Sequence, residues 1–191
     1  MEANRTKQRW TYAEFARLPS GTRERYEVIG DSLYVTPSPS TRHQRVVTDL
    51  TTLLNAFVRE HGLGAFYSGP VDVLFQEGDY LTPDAVFVRS GRPDLVSDRG
   101  IEGPPDLVVE VVSPSTGPRD RGIKRDRYHH FGVGEYWIVD PEERTIDVFK
   151  ESRGYRDPVT YGPGSTLEWM LDARGPTLRI AIDELMPKGR G

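Results

Sequence analysis

The longest hydrophobic pattern in the chain begins after Thr41. Val46, Val47, Leu50, Leu53, Leu54, Phe57 and Val58 recur at the i, i+3, i+4, i+7 spacing of one helical face, and Gly62 offers a C-terminal stop. The spacing predicts a long amphipathic helix. Upstream, "TYAEFARL" places Glu14 three positions after Thr11, a capping box for a short helix. "RYEVIGDSLYV" reads as a hairpin turning at Gly30-Asp31, and the Pro/Ser segment "TPSPS" ends it. Downstream, "GAFYSG", "VDVLF" and "DAVFV" are three short strand-like runs, followed by a Gly/Pro/Asp-rich loop over about 90–105. The apolar strand "LVVEVV" comes next, then a second helix over about 120–131. "EYWIVD" and "TIDVFK" are strands joined by the turn "DPEER", and the remainder reads as short strands with a small helix at "IDELM". The order is mixed α/β (α+β): helices flank a central sheet of at least five strands, with further strands toward both ends. Neither a repeat nor a long linker divides it, so one domain over 1–191 is expected.

Side chains alternate across a strand. In "LVVEVV", Val108, Glu110 and Val112 share one face, while Leu107, Val109 and Val111 share the other. Both faces are otherwise apolar, which marks a central strand covered on both sides. A carboxylate in that setting costs several kcal/mol unless it is paired or metal-bound. A structural ion pair or a strand end near solvent is one explanation for Glu110. A functional site is the other. Asp84 stands in a similar setting, directly after Pro83 at the head of "DAVFV"; Pro-Asp alone is a common turn signal. On the second helix, Asp120, Lys124, Tyr128 and Phe131 form one stripe, so Lys124 points toward the sheet. Snorkelling explains such a lysine, and so does a role beside two acids. Two converging carboxylates suit a hard divalent ion such as Mg²⁺ or Mn²⁺, which activates water and stabilises charge on a phosphodiester.

Composition narrows these readings. The 191 residues are 36% hydrophobic and 28% charged, enough for one folded domain with a real core. The absence of cysteine excludes disulfides and thiolate–zinc sites. No apolar run approaches the ~20 residues of a membrane span, and "MEANRTKQRWTYAEF" has no apolar signal core, so a cytoplasmic location is expected. A net charge of −4 argues against a generic polyanion binder. Locally, however, Arg119, Arg121, Lys124, Arg125 and Arg127 crowd one stretch. Such a run is either a solvated face or a contact for DNA phosphates, and Arg119, Arg121 and Arg125 are the candidates. The four histidines show no metal-ligand spacing, and Ser113, Ser115 and Thr116 read as turn and capping residues.

The strings "YEVIGDSLYVTPSPSTRHQ", "LTPDAVFV", "GIEGPPDLVVEVVSPST", "RDRGIKRDRYHHFGVGEYWIVDP" and "IDVFK" together resemble the Uma-two family. These are restriction-endonuclease-like proteins of the PD-(D/E)xK superfamily. The resemblance implies a restriction-endonuclease-like sheet flanked by helices, with a nuclease core at about 41–150. It also implies metal binding by Asp84 and Glu110 and a catalytic role for Lys124. The superfamily usually carries its lysine two residues after the second acid. Val112 stands there, and Lys124 on the following helix replaces it. Glu27 and Gln44, beside His43, match recurrent polar positions, and Asp120 and Tyr128 share the stripe of Lys124. The carbonyl after Glu110 adds a possible ligand. The function expected is Mg²⁺- or Mn²⁺-dependent cleavage of DNA by a homodimer. The alternative is a non-catalytic DNA-binding or interaction module on the same fold.

Overall fold

The computed structural model describes residues 9–19 and 24–186. The first eight residues, on which the reading of the N-terminus partly rests, lie outside the described residues.

Helix α1 (Tyr12–Phe15) opens with the expected capping box between Thr11 and Glu14. Strands β1 (Glu24–Ile29) and β2 (Ser32–Pro37) form the expected hairpin. Its two turn residues, Gly30 and Asp31, both have positive φ, at 55° and 62°, as a two-residue turn matching the strand twist requires. Helix α2 (Thr41–Glu60) follows, capped by the Ser40 hydroxyl, and leads to β3 (Gly64–Ser68). Strands β4 (Val73–Gln76), β5 (Asp79–Leu81) and β6 (Ala85–Arg89) come next. The segment expected as a loop over 90–105 contains two short strands, β7 (Val96–Ser97) and β8 (Gly100–Glu102).

Strand β9 (Leu107–Val111) carries "LVVEV". The second helix, α3, starts earlier than expected and runs over 117–130 in three continuous pieces: Gly117–Arg119, a wider π turn over Asp120–Lys124, and Arg125–His130. Strands β10 (Glu135–Asp140), β11 (Thr145–Lys150) and β12 (Val159–Tyr161) complete the main sheet. A small hairpin of β13 (Thr166–Trp169) and β14 (Leu178–Ala181) precedes α4 (Ile182–Leu185).

Two six-stranded sheets therefore replace the one anticipated. The main sheet has the order β12-β11-β10-β9-β6-β3, and the second has the order β2-β1-β5-β4-β8-β7. In the main sheet only β9 and β10 run parallel, joined by the α3 crossover. One face buries Val109, Val111, Trp137 and Val139 against Val46, Leu50, Leu54 and Phe57 of α2. The other buries Val108, Val112, Tyr136 and Ile138 beneath Tyr128 of α3 and Ile29 and Leu81 of the second sheet. Strand β9 is thus covered on both sides, as its apolar run implied. On α2 the predicted stripe is buried except that Leu53 is exposed and Val47 half-buried.

Candidate active site

Glu110 lies on the α3-facing side of β9, two residues from Val108 and from Val112. Strand β6 pairs antiparallel with β9 through Ala85↔Val109. That register brings Asp84, just ahead of β6, beside the end of β9 that carries Glu110. A hydrogen bond fixes the approach: Asp84 Oδ2 accepts the Val111 N–H at 2.9 Å. The same oxygen lies 3.1 Å from His43 Nε2, in the first turn of α2. Asp84 Oδ1 accepts from the Arg25 guanidinium of β1 at 3.0 Å. Helix α3 delivers Lys124, whose Nζ sits 2.7 Å from Glu110 Oε1 and 2.7 Å from Glu27 Oε1. Tyr128, one turn further on, donates its hydroxyl to Glu110 Oε1 at 2.9 Å. Glu27 is fully engaged: it also accepts the Thr82 N–H at 3.0 Å and pairs with Arg119 at 3.2 Å.

Arg25, Glu27, His43, Asp84, Glu110, Arg119 and Lys124 line one cleft of about 320 Å³, walled by Pro37–Ser40 and by Ser113–Thr116, while Tyr128 is fully buried beside Glu110. Four buried carboxylates, those of Glu27, Asp84, Glu110 and Asp120, face three cations, Arg25, Arg119 and Lys124. With every acid ionised, negative charge would exceed positive where water is scarce, and the acids respond differently. Burial, reinforced by Asp120, Asp84 and Glu27, pushes the Glu110 carboxyl up to about 8 against the pull of Lys124. Burial also raises Asp120. Asp84 goes the other way: burial would raise it, but His43, Arg25 and the Val111 N–H together hold it below its ordinary range. Lys124 is driven up despite its burial, because Glu110, Glu27 and Asp120 surround it; its ammonium keeps its proton.

The donor set suits a hard divalent cation in its chemistry: carboxyl oxygens brought together by neighbouring strands, one held ionised, in a cleft whose buried acids outnumber its cations. Among the described residues no group of three or more His, Asp or Glu side chains is already arranged around a metal position. Arg25 and His43 hold the oxygens of Asp84, and Lys124 and Tyr128 hold Oε1 of Glu110.

Asp84, Glu110, Lys124, Glu27, Asp120 and Tyr128 are therefore brought together. Gln44 is not: it is exposed on α2, and its neighbour His43 faces the site instead. One residue along a helix is a rotation of about 100°, so His43 rather than Gln44 shares the face of Val46 and Leu50. That signal was present in the periodicity. Arg25 was also missed, although it alternates with Glu27 on the same face of β1.

The basic run of α3 divides. Arg119 lines the cleft, donating to the Thr36 hydroxyl at 2.6 Å as well as pairing with Glu27. Arg121 lies outside that lining and pairs with Asp140 at 2.7 Å and Asp147 at 3.1 Å. Arg125 lies outside it too and pairs with Asp126 at 2.7 Å. Ser113, Ser115 and Thr116 bond among themselves ahead of α3, the turn role expected of them.

A mixed sheet with a parallel βαβ unit, an acid at the head of one strand and another within its neighbour define the restriction-endonuclease-like class. A crystal structure described as a "putative nuclease belonging to DUF820", from Anabaena variabilis, superposes with a TM-score of 0.75 and 18% identity, over 91% of this chain and 96% of that one. An "Uncharacterized protein slr1290" of Synechocystis is 30% identical over 143 residues, 73% of each chain. Residues 12–181 match the Uma2 family, described as "Putative restriction endonuclease", and the chain belongs to that family.

Proposed function

We propose that this protein is a metal-dependent endonuclease that hydrolyses DNA phosphodiester bonds. The observation that carries the reading is the convergence of Asp84, Glu110 and Lys124 on one cleft. Asp84 and Glu110 are the residues suited to hold Mg²⁺ or Mn²⁺, which when bound supplies a water nucleophile and charge neutralisation at the phosphoryl group. The protein's own part is positioning and electrostatics. Asp84 stays ionised through its partners. Lys124 keeps its proton and offers a fixed positive charge for the oxygens that gain negative charge as the bond breaks. Glu27, Asp120 and Tyr128 hold Lys124 and Glu110 in place.

The rival reading is a binding module that keeps the fold without hydrolysis. One observation favours it: arginine, histidine and lysine already engage the acids' oxygens. Titration calorimetry with Mn²⁺ and plasmid cleavage separate the two. The nuclease reading expects one site in the wild type, lost in Asp84→Ala together with cleavage. Absence of both binding and cleavage in the wild type leaves the rival.

A further inference from the structure

We infer that Arg25 is a displaceable counter-cation on Asp84, which leaves that carboxylate for the phosphate of an incoming DNA strand and so couples metal binding to substrate binding. The inference rests on the metal-dependent reading and adds a residue and a form of regulation to it.

Asp84 has two kinds of partner. Oδ2 takes the Val111 N–H, fixed by the strand, and faces His43, whose side chain is only 6% exposed. Oδ1 takes the Arg25 guanidinium. Arg25 differs from the others in three respects. Its side chain is 27% exposed, against 6% for Asp84. It comes from β1, in a hairpin whose outer strand β2 is the edge of its sheet. It is also long and flexible, so it can swing without moving the backbone.

An arginine cannot shed its charge at any ordinary pH. A divalent ion at Asp84 and a guanidinium 3.0 Å from the same carboxylate repel each other strongly, because the buried cleft leaves little water between them to screen the charges. The ion therefore competes with Arg25 for Oδ1. A phosphodiester entering the cleft changes the balance. It offers the guanidinium a bidentate anionic partner, the geometry for which arginine is best suited. Arg25 then grips the phosphate while Asp84 is freed for the cation. Each ligand lowers the obstacle to the other, which is a coupling and is reciprocal.

The two halves of the inference move two readouts in opposite directions. With Mn²⁺ alone and no DNA, Arg25→Gln should bind the ion roughly tenfold tighter than wild type, within the range of ordinary coupling between sites. Arg25→Lys, which keeps the charge, should stay near wild type. In single-turnover cleavage of plasmid DNA at saturating Mn²⁺, Arg25→Gln should be slower by about 100-fold or more, as for loss of one charge-stabilising donor. Arg25→Met removes the charge independently, with the same expected signs, and circular dichroism verifies the fold of each variant. Unchanged or weaker Mn²⁺ binding in Arg25→Gln and Arg25→Met overturns the inference and leaves the metal site standing. Tighter binding with unimpaired cleavage overturns the phosphate contact. Failure of wild type and variants alike to bind Mn²⁺ overturns the metal site itself, and the inference with it.

Discussion

Glu110 ties the stability of the protein to pH. Its carboxyl is raised from 4.5 to about 8, chiefly by burial. A group with a raised folded pKa contributes stability that is complete below the unfolded value and lost as pH rises through the folded one. The metal-free protein therefore loses stability between about pH 4.5 and 8 from this source. Denaturant titration at pH 5 and pH 9 should show a larger fall for wild type than for Glu110→Gln. On the metal-dependent reading, a cation held by Glu110 displaces the same proton. Calorimetry in buffers of differing ionisation enthalpy should detect proton release at pH 7 that fades above pH 8 and is missing in Glu110→Gln. Asp84 has the opposite sign: its lowered pKa contributes stability that is lost in acid. For Lys124→Ala, about 3–5 kcal/mol of stability should be lost, the scale of removing one partner from a buried ion pair. Cleavage by the folded fraction should drop about 100-fold or more, and Lys124→Arg should rescue poorly, because the planar guanidinium is larger than the ammonium it replaces. At this scale the acids and the lysine were legible because charges interrupt otherwise apolar faces. Arg25 was not, since an arginine in a half-exposed strand needs no explanation until its partner 59 positions away is known.

Among the elements, α2, β9 and α3 had clear signatures: a helical period in α2 and α3, and in β9 a run apolar on both faces. The π turn over Asp120–Lys124 left no mark in the pattern, although such turns recur at functional sites. Strands β5, β7 and β8 are two or three residues long, too short for alternation to register, and with them went the second sheet. Their pairing is set by tertiary contacts rather than by local preference. The turn that presents Asp84 has a constraint of its own. A Cβ on Gly69 would stand 2.6 Å from the Pro83 carbonyl and 3.1 Å from that of Asp84. Gly69 also donates its N–H to the Asp84 carbonyl at 2.7 Å. Gly69→Ala should therefore shift the backbone at Asp84. The expected result is a Mn²⁺ affinity reduced more than tenfold, as for a lost orienting partner, read by calorimetry on protein whose far-ultraviolet dichroism is unchanged. Leu54→Ala, in the core of α2, should do the reverse: about 2–5 kcal/mol less stable by urea titration, with the metal site intact.

Over the whole molecule, a net charge of −4 and arginines largely paired with acids leave modest long-range attraction for DNA. Arg121 and Arg125 must exchange Asp140, Asp147 and Asp126 for phosphates if DNA extends past the cleft. In that case Arg121→Ala and Arg125→Ala should each reduce the slope of log affinity against log salt by about 0.9. An unchanged slope in both confines the contact to the cleft. Cutting both strands with one site per chain calls for a two-fold pair, and sedimentation with a short duplex should find two chains per DNA; one chain per duplex would point to nicking. The general architecture was readable from order and period, and so were the main members of the site, but their pairwise contacts were not, because the site is gathered from remote parts of the chain. Asp84 meets His43 across 41 positions, and Glu27 meets Thr82 across 55. Lys124, which pairs with Glu27 and Glu110, follows all of these. A nascent chain emerging from the ribosome carries each acid before the lysine that completes the set. Non-local contacts are slow to form, so on the endonuclease reading the newly made protein has no working centre until the crossover helix has been synthesised and has closed over the sheet, and nearby nucleic acid is spared until then.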